Sequence, residues 1–193
     1  MKKLFTALVA LVLSLSVSAQ FYIYCSNGNV LEVDSISLVK PDNSNNHEDN
    51  SNNHEYVDLG LPSGLKWATC NVGATTPEEY GYYFAWGETQ PKKNYDWTTY
   101  KYGTNYDQLT KYCNNSYWGK DGFTDNKTVL DPEDDAATMN WGGAWRMPTI
   151  AEQQELLSNC TWTWTTQNGV NGYKVTGPNG NSIFLPASGY IDG

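Results

Sequence analysis

The chain has 193 residues, with 21 acidic against 12 basic side chains and a net charge of −9. That balance excludes long-range attraction to nucleic-acid phosphates or anionic lipid, and no nucleic-acid partner is expected. Aromatic residues make up 14% and charged residues only 17%, alongside 17 glycines, so short strands and turns are favoured over long helices.

Residues 1–19 read as a signal peptide: basic Lys2 and Lys3, an apolar run from Leu4 to Leu15, then Val17-Ser18-Ala19 before Gln20. The run falls short of the roughly 20 residues a membrane span needs, so no transmembrane segment is expected after cleavage. A secreted, periplasmic or cell-surface location follows. Residues 20–40 form a short N-terminal β segment in which Asn27-Gly28 turns a hairpin. Residues 41–55 read as a flexible linker, because Ser-Asn-Asn-His-Glu occurs twice within a polar stretch. Both histidines, His47 and His54, lie in it.

A globular domain is expected over 56–193. Tyr56 to Leu59 and Leu65 to Cys70 form a hairpin around Leu61-Pro62-Ser63-Gly64, and Tyr80 to Trp86 reads as an aromatic strand. From Glu88 to Asp125 the chain has no clear period and reads as a long loop region. Asp131 is placed as the N-cap of a short helix with Pro132 at its first position, and Glu133, Asp134 and Asp135 complement the helix dipole. That helix stops at Trp141-Gly142-Gly143. Thr149 and Glu152 have the spacing of a capping box, which starts a second helix running to about Asn159 with Ile150, Leu156 and Leu157 on its apolar face. A meander follows, with Trp162 and Trp164 on one face of a strand and turns at Asn168-Gly169, Asn171-Gly172 and Asn179-Gly180.

The series from Tyr56 through Trp67-Ala68-Thr69-Cys70 to Ala74 resembles the opening of the Fibrobacter succinogenes major paralogous domain. Phe84-Ala85-Trp86-Gly87-Glu88, Asp134-Asp135-Ala136-Ala137, Trp145-Arg146-Met147-Pro148-Thr149 and Ile183-Phe184-Leu185-Pro186-Ala187 resemble its later blocks in order. The resemblance implies an exported protein of Bacteroidetes-like bacteria. It also implies an α+β, C-type-lectin-like fold related to formylglycine-generating enzymes, with two short helices, antiparallel hairpins and a meander. Members of that family usually continue with a Tyr-Trp-Ser-Ser block and a closing Arg-Pro-Val strand. Neither is found here, so the last strands are expected to be missing and the frame to be cut. In a fold of that kind the helix packs across the early strands, which makes a Cys70–Cys160 disulfide geometrically reasonable; both cysteines read equally well as small buried apolar groups.

The chemistry narrows to binding. No histidine lies within 56–193 to act as a base, and no nucleophile-elbow pattern appears, so the chain is read as no enzyme. Trp97, Tyr100, Tyr102, Tyr106 and Trp118 fall in the loop region, where an exposed ring stacks on a sugar face. They are the candidate contacts for a glycan or protein ligand, whereas Trp67, Trp86, Trp145, Trp162 and Trp164 read as packing. Asp121, Asp125, Asn126 and Asp131 offer oxygen ligands for calcium without EF-hand spacing, and a solvated acidic loop is the stronger reading. Arg146, the single arginine, is expected to pair with a carboxylate or stack on an indole and so fix its turn.

Overall fold

The computed structural model describes Val39–Lys40, residues 54–189 and residue 191. The expected signal peptide, the expected Asn27-Gly28 hairpin and all but the last two positions of the expected linker lie outside the described residues. Within them the fold is mixed α/β, with two α-helices and two three-stranded antiparallel sheets. No helix among the described residues is long and apolar enough to cross a membrane.

In the first sheet β3 (Lys66–Ala68) lies between β1 (Val39–Lys40) and β2 (Tyr56–Asp58), with Trp67 opposite both Val39 and Val57. The turn expected at Leu61 to Gly64 closes through Gly64 N–H donating to the Leu61 carbonyl at 2.9 Å. Across the pair, Lys66 Nζ lies 2.7 Å from Asp58 Oδ2. Strand alternation sends neighbouring side chains to opposite faces, and β3 uses this to border two cores. Trp67 joins Leu59, Leu61, Leu65, Leu156, Val175, Ile183 and Leu185, while Ala68 joins Val72, Phe84, Ala136, Ala137, Trp141, Trp145 and Met147.

The second sheet is the meander β4 (Thr161–Gln167), β5 (Val170–Thr176) and β6 (Ser182–Pro186). Its first turn is the expected Asn168-Gly169, both residues having positive φ. Asn171-Gly172 is not a turn: it lies inside β5, and Gly172 pairs with Pro186 of β6. A Cβ at Gly172 would collide with the Leu185 carbonyl and the Phe184 ring, so this glycine serves a close strand approach.

Three further expectations are corrected. Tyr80 to Trp86 forms no strand: Gly81, at positive φ, breaks the extended run near its start. Asp131 makes no side-chain cap; Pro132–Asp134 is a single 3₁₀ turn, and Asp135 caps α1 (Ala136–Trp141) by accepting Thr138 N–H at 2.9 Å. In α2 (Ile150–Asn159) only Leu156 is buried, leaving Ile150 and Leu157 exposed. The capping box itself is present: Thr149 Oγ1 accepts Glu152 N–H at 3.4 Å, and Glu152 Oε2 accepts Thr149 N–H at 2.7 Å.

Two residues of the stretch read as linker, His54 and Glu55, are described. His54 is ordered, its ring stacked on Trp141 at 3.8 Å and edge-on to Trp145. Its Nε2 is buried without a hydrogen-bond partner, and burial lowers its pKa. Polar sequence around it conceals an imidazole that two indoles hold.

Candidate functional site

The loop region from Trp86 to Asp135 has almost no regular structure, yet it is built around one buried carboxylate. Asp134 is 1% exposed and receives Lys101 Nζ at 2.8 Å, Lys111 Nζ at 2.5 Å and Tyr112 Oη at 2.8 Å. Burial opposes its charge, but hydrogen bonds from Lys101, Lys111, Tyr102 and Tyr112 overcome it and hold its pKa below the usual carboxylate range. Around the same charge, burial pushes Tyr112 up to about 12. The neighbouring Asp135 is shifted upward by burial, against hydrogen bonds from the Thr138 and Met147 amides.

A second carboxylate shapes the backbone. Asp125 accepts Tyr112 N–H at 2.8 Å and Cys113 N–H at 2.9 Å, and it also bonds Lys127 N–H. Tyr112 is thereby held at φ +55°, a left-handed conformation that costs a bulky residue roughly 1–3 kcal/mol. Its ring is the hub of an edge-to-face ladder: Trp86 and Tyr102 meet Tyr112, Tyr100 meets Tyr102, and Trp97 meets Tyr100. Lys101 and Lys111 lie over the Tyr102 ring at 4.8 and 5.4 Å.

The five candidate aromatics therefore divide. Trp97, Tyr100 and Tyr102 are half-buried members of the ladder. Tyr106 and Trp118 form a separate group with Tyr117, with ring centroids 5.9 Å and 4.6 Å from Trp118. Sequence reasoning missed Tyr117, which is 67% exposed, although its place beside Trp118 in an asparagine-rich turn marks a two-ring run. Trp164, expected to pack, is 51% exposed and touches only the Tyr173 ring among described aromatics.

The expected calcium ligands are not brought together. Asp121 is exposed, Asp125 is spent on backbone amides, and Asp131 instead joins Glu133 and Asp134, their ligand atoms within 4.8 Å of one another. Three carboxylates at that spacing are able to hold a metal ion. Here Lys111 bridges Asp131 and Asp134, Lys127 pairs with Asp131 and Lys101 with Asp134, so lysines supply the positive charge.

Arg146 pairs with a carboxylate: its guanidinium forks onto Glu152 at 2.9 and 2.6 Å, locking the residue that closes the capping box. Cys70 and Cys160 are free thiols, as is Cys113. The Cys70–Cys160 link does not form because Cys70 packs on the Trp141 cluster and Cys160 on the Leu156 cluster, across β3 from each other. Compared with protein-family models, with curated proteins and with solved structures, the chain matches none.

Proposed function

We propose that the chain is an exported, noncatalytic binding or display module of the Fibrobacter succinogenes major paralogous type, with a C-type-lectin-like fold. Its ligand, a glycan or a protein, is engaged through Tyr106, Tyr117 and Trp118. The observation that carries this reading is the exposure of Tyr117 beside Trp118, on a loop region anchored by a buried ionic network. Exposed ring faces on a rigid base stack on an apolar sugar face with little loss of conformational entropy. A glycan array probed with the intact protein tests it. Binding that disappears in Tyr117→Ala and Trp118→Ala, with melting unchanged, supports sugar recognition; binding that survives both removes these rings from the site.

A structural or adhesion subunit is the second reading, favoured by the half-exposed Trp164 on β4, a strand without charged residues. Recovery of a protein partner that Trp164→Thr abolishes would favour it. A formylglycine-generating-type oxidase finds no support in Cys70, Cys113 and Cys160, which occupy three separate parts of the fold.

A further inference from the structure

Between the start of α2 and the segment 127–132 lies a pocket of about 150 Å³, apart from the group of Tyr106, Tyr117 and Trp118. A cavity of about this volume with apolar walls takes a benzene-sized ring. Trp86, Tyr112, Leu130, Met147 and Pro148 form its body, with Ile150 at the mouth. Ile150 sits at the first position of α2, yet it is 55% exposed and outside both cores, and Val129 across the mouth is 52% exposed. Aromatic and thioether walls favour an aromatic guest, through edge-to-face and sulfur–ring contacts.

The walls are fixed before any ligand arrives. The Tyr112 hydroxyl donates to Asp134 and accepts Asp131 N–H at 3.0 Å, and the capping box together with the Arg146–Glu152 fork fixes the opposite rim. Every charged side chain lining the pocket is already engaged within the protein. Asp135 accepts Thr138 and Met147 N–H, Arg146 is forked onto Glu152, and Lys127 reaches both oxygens of Asp131. An anionic guest would meet no free cation, and a cationic guest would find only Asp135, 4% exposed and already held by two amide N–H groups. What the mouth does offer is neutral: among the described residues, the side chains of Gln153, Asn114 and Thr128 line the pocket without making a hydrogen bond.

We propose that this pocket is a binding site for a small uncharged aromatic molecule carrying one hydrogen-bonding group, of the phenol or indole class. The ring enters between Trp86 and Met147, and its polar group remains at the mouth beside Gln153.

Methyl-labelled methionine tests this in the intact protein. Met147 lines the pocket, whereas Met139 projects into solvent from α1 and serves as an internal control. Phenol and indole should shift the Met147 methyl resonance saturably below roughly 10 mM and leave Met139 in place, while benzoate and benzylammonium should bind at least about tenfold more weakly. Gln153→Trp lays an indole over the mouth from a half-buried helix position and should weaken phenol about tenfold or more without altering the melt. Ile150→Trp, which sets a larger ring at a 55% exposed first helical position, provides the same block should Gln153→Trp misfold. No saturable Met147 shift, equal movement of Met139, equal binding of either charged analogue, or phenol affinity untouched by the folded blocking variant would each overturn the assignment.

Discussion

The two sides of β3 are held by different physics. Beyond Trp67 the core is closed by regular elements: a capped helix and a three-stranded meander whose ladder runs from Thr161–Thr176 to Gln167–Val170. Beyond Ala68 the second core takes Ala136, Ala137 and Trp141 from the short α1, and the rest of its surround is irregular chain that makes few backbone ladders. Side chains take over their role there, with Asp125 bonding three amides and Asp134 drawing in Lys101, Lys111 and Tyr112. One half distributes its stability over many equivalent bonds, and the other concentrates it on a few carboxylates.

Removing Asp134 breaks that contrast most sharply. Asp134→Ala removes the buried acceptor shared by Lys101, Lys111 and Tyr112 and should cost about 3 kcal/mol in urea unfolding, Lys111 keeping Asp131 as its partner. The Asp134 pKa is lowered from 3.8, so its stabilisation is complete above that value and lost as pH falls further. Asp134→Asn should therefore flatten the decline in melting temperature between about pH 4 and pH 2, and an unchanged acid limb would move the dependence to other carboxylates.

In the regular half the largest single loss comes from packing. Leu156→Ala deletes a fully buried side chain and should cost about 2–5 kcal/mol by the same unfolding measurement. A smaller loss, about 1 kcal/mol, is expected for Thr149→Ala, which removes one arm of the capping box while the Arg146 fork keeps Glu152 in place. Least of all, Tyr117→Ala should alter stability by under about 0.5 kcal/mol, because the ring is mostly in solvent; a larger change would make Tyr117 a packing residue and not a ligand contact.

The same division governs what could be read in advance. Thr149 and Glu152 announce α2, and Asn168-Gly169 announces the meander turn, because each signal acts within four residues along the chain. Asn171-Gly172 misleads for the same reason: its glycine answers to strand β6, fourteen residues away at Pro186. Asp134 looks like dipole decoration beside Glu133 and Asp135, and only contacts reaching 33 residues back to Lys101 reveal a buried hub. The Trp97-to-Trp118 stretch was recognisable as aromatic and irregular. Which rings face solvent depended on Tyr112 being forced to positive φ, and no local pattern encodes that. Cys70 and Cys160 needed the alternation of β3, which places them beside different cores.

A strand of three residues that gives Trp67 to one core and Ala68 to the other is a party wall. Neither core can be dismantled while the other keeps its boundary, so the two should melt as one cooperative unit despite their unlike construction. The trace of that coupling is calorimetric: a single heat-absorption peak whose van't Hoff and measured enthalpies agree.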